Sequence, residues 1–284
     1  LYTGQTTYKL AHYLPMQDVE QLLPALPALG LPAAADVLVL PMENRLYLQE
    51  AFATLYLPHV SLRVGRHKFY SGTGYAYNPI DLFNRKNPID PTYEVDGIDA
   101  ILLTIELPAQ IELSGLVRFA DRFHTSDYLA RAKASWGPVD IGLQYTSHHK
   151  SRVDWRAINS EAGLLSLAYG APLDKFTHTF HWHLLAAELS AEVFGIGIHA
   201  EGGYAFVEGS EEGGTIPRAG KDHVRFLAGL DYTFSFQLYV MVEYLHQGQG
   251  LTDTDEITLT DRLAFFGGET LAIMRDTLFC GLSY

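Results

Sequence analysis

From Glu43 onward the chain alternates apolar and polar side chains in runs of about ten residues, the period of a β-strand with two unlike faces. Arg45 to Leu57 alternates, turns at Leu57-Pro58 and returns as Val60 to Phe69. Ile98 to Leu107 then alternates into a turn at Pro108-Ala109. Beyond it, Ile111, Leu113, Gly115, Val117 and Phe119 oppose Glu112, Ser114, Leu116, Arg118 and Ala120. The same split continues through 128–136, 139–148, 187–193, 196–206, 225–234, 237–244 and 274–284. A weaker alternation over Tyr2 to Tyr13 adds a first strand, for about twelve in all and more if the chain continues past Tyr284.

A soluble antiparallel sheet can alternate in this way too. Three further features point to a membrane. Connections alternate in length: the turns near Pro58, Pro108, Gly137, Gly195 and Ser235 are tight. The loops at about 14–42, 70–96, 149–179, 208–220 and 248–270 are long, and only Ala120 to Ser126 is short on that side. Aromatics recur at the turn end of the strands, at Tyr56, Trp136, Phe194, Phe234 and Tyr284, as in an interfacial girdle. Charges sit at mid-strand opposite the apolar faces, where a closed barrel would offer them a wet lumen. The expected fold is therefore all-β, a single domain over 1–284 forming a transmembrane antiparallel up-and-down β-barrel.

Composition narrows the function more than the fold. With 33 acidic against 20 basic residues and a net charge of −13, the chain is a poor partner for nucleic acid. Its one cysteine, Cys280, excludes an internal disulfide framework. No apolar run reaches the roughly 18 residues of a spanning helix. The longest apolar region, Leu22 to Leu40, is broken by Pro24, Pro27, Pro32 and Asp36. Within Leu14 to Met42, Asp18 can cap a short helix, and the segment reads either as an ordered apolar loop or as a lid in the barrel mouth. There is no basic-then-apolar leader, so an exported protein would be represented here by its processed form.

The run from Arg63-Val-Gly-Arg through Gly72-Thr-Gly-Tyr-Ala-Tyr-Asn78-Pro79-Ile80-Asp81, closing with Asp96-Gly97-Ile98-Asp99-Ala100, resembles a pattern in porin-like Gram-negative outer-membrane proteins. Leu282-Ser283-Tyr284 is similar to the aromatic-ended last strand that the barrel-assembly machinery recognises. The resemblance implies a porin-like barrel in the bacterial outer membrane, in contact with outer-membrane lipid and lipopolysaccharide, without naming a solute.

Two groups of residues are candidates for the work of a channel. The loop after Phe69 is expected to be ordered by its glycines and prolines. It either folds inward as a constriction presenting Tyr75, Tyr77, Asn78, Asp81, Arg85 and Lys86, or caps neighbouring loops. The pore-lining face is expected to carry Glu50, Arg63, Glu106, Glu112, Arg118, Arg131, Lys133, Asp140, Glu188, Glu192, Glu201, Arg225, Asp231, Glu243 and Arg275. Acids outnumber bases there, so an open pore would weakly prefer cations or neutral solutes. Alternatively, Glu–Arg pairs lace the lumen shut.

Among the histidines at 148, 149, 178, 181 and 183, His181 and His183 share a strand face and could share a metal, but the histidines are expected to be ordinary rim residues, with no metal and no cofactor. No serine-nucleophile elbow, zinc-protease pair, phosphate loop or dinucleotide fingerprint is present, and no enzymatic activity is expected. The expected function is passive or facilitated passage of a small hydrophilic solute. The alternatives are a sheath or anchor for a partner protein in a transmembrane complex and, further off, a barrel-embedded hydrolase. A protein partner or a homo-oligomer fits any of them.

Overall fold

The computed structural model describes residues 48–84, 97–120, 125–153, 177–208, 221–257, 261, 265 and 271–284. They form one eleven-stranded antiparallel sheet in up-and-down order, each strand paired with the next in sequence. The strands are β1 (Ala51–Leu57), β2 (Val60–His67), β3 (Ile98–Leu107), β4 (Ile111–Arg118), β5 (Asp127–Trp136) and β6 (Val139–Val153). They continue as β7 (Thr177–Val193), β8 (Ile196–Glu208), β9 (His223–Thr233), β10 (Tyr239–Gln247) and β11 (Asp276–Ser283). Among the described residues a 3-10 turn, Thr254–Glu256, lies in the connection before β11.

The tight turns fall where the sequence places them, and their backbone explains why the strands reverse there. Phe194 (φ 53°) and Gly195 (φ 78°) make a two-residue connection with both φ values positive, the type I′ geometry whose twist matches the flanking strands. Pro58 followed by His59 at φ 63° has the pattern of a type II turn. Two strands run further than their alternation suggests. β6 continues to Val153 and β7 begins at Thr177, so the two ends of the loop expected at 149–179 are strand.

Register sorts the side chains into two faces. One row across the sheet reads Glu112, Lys133, Gly142, Glu188, Glu201, Leu227 and Leu245. The opposite face carries Leu103, Leu113, Leu143, Leu185, Leu189, Leu230, Val242 and Leu282, all exposed. Burial is thus inverted relative to a water-soluble sheet. The buried apolar residues lie on the charged face toward the loop ends of the strands, in three groups. Phe69 packs with Ala100, Leu116 and Leu129; Ile80 with Trp182, Leu184 and Ala205; and Tyr77 with Leu227, Leu245 and Leu271.

The expectation of a closed twelve-stranded barrel is met as far as an up-and-down sheet. Among the described residues β1 pairs only with β2 and β11 only with β10, so the sheet keeps two edges and is not closed. The first strand expected at Tyr2 to Tyr13 and the segment 14–42 lie outside the described residues. Tyr56 departs from the girdle. It pairs with Ser61, which pairs with Thr104, on the polar face, whereas Trp136 belongs to the apolar one.

Candidate functional site

The polar face is crossed by the segment that follows β2. Phe69 to Asn84 leaves the strand, folds back over the sheet and touches all three apolar groups in turn, through Phe69 and Phe83, then Ile80 and Leu82, then Ala76 and Tyr77. Its fold is set locally by Asp81. That carboxylate accepts hydrogen bonds from the backbone N–H groups of Ser71 (3.3 Å), Phe83 (2.9 Å) and Asn84 (3.0 Å). Asn78 Nδ2 donates to Asn84 O at 2.8 Å, and Asn84 Nδ2 donates to Phe69 O. Burial pushes the Asp81 carboxyl up to about 6 even though those amides pull the other way.

The segment is held to the sheet by carboxylates on three strands. Gly72 N–H donates to Glu188 of β7 at 3.0 Å. Thr73 and Gly74 N–H donate to Glu201 of β8, the latter at 3.1 Å, and Ile80 N–H reaches its other oxygen at 3.5 Å. Tyr75, Ala76 and Tyr77 N–H converge on Glu243 of β10, the last two at 2.7 and 3.4 Å. Gln144 completes the seam by donating to Ile80 O at 3.1 Å. A carboxylate buried in this way is stable only because charge-assisted hydrogen bonds surround it.

Glycines give the carboxylates room. A Cβ on Gly72, itself at φ 91°, would stand 2.3 Å from Glu201 Oε2, and one on Gly142 would stand 2.4 Å from Glu188 Oε1. On β9, Gly229 faces Glu243 across the ladder, and a Cβ there would fall 2.1 Å from His199 Nε2.

His199 sits beneath the segment. Its Nε2 is 2.8 Å from Glu243 Oε1, its Nδ1 points at Asp231 Oδ2 at 3.7 Å, and its ring meets Tyr75 edge-on with centroids 4.9 Å apart. On its turn side opens a polar cavity of about 640 Å³ lined by Thr73, Tyr75, Glu192, His199, Asp231 and Thr233. Burial and the nearby Asp231 and Glu243 raise the Tyr75 hydroxyl above the usual phenol range.

The residues expected to line a pore separate into groups. Register puts Glu106, Glu112, Arg118, Arg131, Lys133, Asp140, Glu188, Glu192, Glu201, Arg225, Asp231 and Glu243 on the polar face with Arg63. Glu50 precedes β1 and lies 3.9 Å from Lys68, and Arg275 precedes β11. Arg131 pairs with Glu188, Arg118 with Asp127, and Lys133 with Asp140 at 3.4 Å. Glu201 and Glu243 instead hold backbone amides. Of the loop residues, Tyr75 is exposed to the cavity side, Tyr77, Asn78 and Asp81 are buried, and Arg85 and Lys86 lie outside the described residues.

Sequence reading missed His199, Gln144 and Asp127, which are polar residues buried on the same face. The available signal was the glycine directly across the ladder from some of the buried polar groups: Gly142 opposite Glu188, and Gly229 between His199 and Glu243. No protein-family model, no curated protein and no solved structure matches this chain.

Proposed function

We propose that this chain is a porin-like outer-membrane channel whose sheet closes around a polar lumen, with Phe69 to Asn84 as its constriction. Small hydrophilic solutes would pass between that segment and the uncovered part of the polar face. The carrying observation is the inversion of burial. Leu143, Leu185, Leu230 and Leu282 are each more than half exposed on one face, while Glu188, Glu201 and Glu243 are buried on the other. In water that arrangement exposes an apolar surface far wider than soluble monomers tolerate. In a bilayer, it puts hydrocarbon against hydrocarbon and charge against water.

The cavity on the turn side of the segment would be the vestibule, with Glu192 and Asp231 giving it a weak preference for cations or neutral solutes. A sheath around a partner protein is less well supported, because Phe69 to Asn84 occupies the polar face such a partner would need. Single-channel recording in a planar bilayer under a salt gradient tests the reading. Discrete conductance steps with a cation-positive reversal potential are expected. Silence from protein shown to be folded would exclude the open channel.

A further inference from the structure

We propose that the outward face at the loop ends of β7 and β8 is a binding site for one divalent transition-metal ion, with His181, His183 and Glu208 as its ligands. Cross-strand register supplies the placement. His181 and His183 are two residues apart on β7 and so point to the same side, and Glu208, the last residue of β8, is directly opposite His181. One nitrogen from each ring and one carboxylate oxygen lie within 4.8 Å of one another. His181 Nδ1 is 4.0 Å from Glu208 Oε2, and His183 Nε2 is 3.9 Å from the same oxygen. Those separations are too long for hydrogen bonds. A small inward movement brings all three atoms to the roughly 2.0–2.2 Å at which imidazole nitrogen and carboxylate oxygen bind zinc.

A second observation points to a ligand independently of that spacing. The other nitrogen of each ring is already engaged by a hydroxyl: His181 Nε2 with Ser147 Oγ at 2.7 Å, and His183 Nδ1 with Tyr145 Oη at 2.7 Å. The tautomers that donate to those hydroxyls leave lone pairs on His181 Nδ1 and His183 Nε2, the two atoms that face Glu208. Metal-binding histidines are oriented by such an outer hydrogen bond. Stacking fixes the rings further. His149 lies parallel to His181 with centroids 4.1 Å apart and an interplanar angle of 11°, and the His183 ring is also 4.1 Å from that of His181. None of these groups contacts Phe69 to Asn84, so the site stands apart from the constriction and does not depend on the channel reading.

Two imidazoles and one carboxylate, open to solvent at the remaining position, suit zinc, copper or nickel and disfavour calcium and magnesium, which take oxygen ligands. Zinc is the probe. The full chain, folded in detergent, is titrated with Zn²⁺ against a chromophoric chelator, and X-ray absorption is recorded on the loaded protein. One Zn²⁺ per chain is expected, with two imidazole shells in the absorption spectrum. His183→Ala and Glu208→Gln should each weaken binding by at least about tenfold, and excess Mg²⁺ should leave the zinc bound. The proposal is overturned by a stoichiometry well below one, by full binding in a His181→Ala, His183→Ala double variant, by a spectrum without imidazole, or by displacement with Mg²⁺. Because absorption is read on the unaltered chain, misfolding of a variant does not rescue the proposal.

Discussion

Glu243→Gln is the sharpest perturbation of the held segment, because it alters one charge and almost no volume. Glu243 is fully buried and receives Tyr75, Ala76 and Tyr77 N–H together with His199 Nε2. A glutamine keeps one acceptor oxygen and turns an NH₂ toward donors that faced the other. If the oxygen stays with Ala76 and Tyr77, Tyr75 N–H loses its acceptor, while His199 can switch tautomer so that Nε2 accepts from the new NH₂; an orphaned buried donor costs about 1–3 kcal/mol. The two remaining bonds lose charge assistance, about 1 kcal/mol between them. Removing the charge also removes the cost of burying it. That cost is already offset by the four donors, so the net change should be about 2–4 kcal/mol against docking.

That shift corresponds to roughly a thirty- to seven-hundredfold rise in the undocked population. Hydrogen exchange read at residues 72–80 should show protection falling by that factor while the strand amides of β7 and β8 keep theirs. Unchanged protection at Tyr75, Ala76 and Tyr77 would refute the view that Glu243 holds the segment.

Docking should also depend on pH through Asp81. Its carboxyl titrates near 6 when docked and near 3.8 when released, so the docked state binds the proton more tightly. Stabilisation is therefore fully present below about pH 4, declines as pH rises to about 6 and stays flat above that, a total of order 3 kcal/mol. Exchange at Ser71, Phe83 and Asn84, corrected for intrinsic rates, should follow this window, and Asp81→Asn should abolish it. Gly72→Ala places a Cβ 2.3 Å from Glu201 Oε2 at a φ of 91°, and should loosen the segment by about 1–3 kcal/mol, seen as faster proteolysis between Tyr70 and Asn84. Leu143→Arg, on the exposed apolar face, should impair folding into lipid vesicles by about 2–4 kcal/mol if the residue meets the bilayer centre. An unchanged yield would argue that this face meets water. Neutralising Asp231 with asparagine should move the reversal potential toward zero, since its carboxylate lines the cavity without holding a loop amide.

The strands and their faces were legible because period-two alternation and turn residues act over a few neighbours. Val60, Ile98, Ile111, Val139 and Ile196 begin strands where the alternation resumes. The start of β7 was not, because His181 and His183 stand on one face and Phe180 and Trp182 on the other, and hydrophobicity alone does not separate them. The role of Glu201 and Glu243 was hidden for a different reason. An acid on a polar strand face reads the same whether it meets water, an arginine or backbone amides more than a hundred residues away. Glu188 combines two of these, pairing with Arg131 and accepting from Gly72 N–H. The course of the loop over the polar face could be read only as one of two choices, because it depends on apolar residues such as Leu116, Leu184 and Leu227 that share a face with charges. The histidine and glutamate site was half visible, since His181 and His183 are close in sequence while Glu208 meets them only through the β7–β8 register.

Cys280 supplies a native probe for the most direct test of membrane insertion. It is exposed on the same face as Val242, its partner on β10, and it is the only cysteine in the chain. Labelled there with an environment-sensitive fluorophore and refolded into vesicles of brominated lipid, the protein should show a blue-shifted emission strongly quenched by bromine in the acyl chains. Emission typical of water and unquenched by the lipid, in protein that retains its β-sheet circular dichroism, would contradict a membrane-facing apolar surface and the channel built on it.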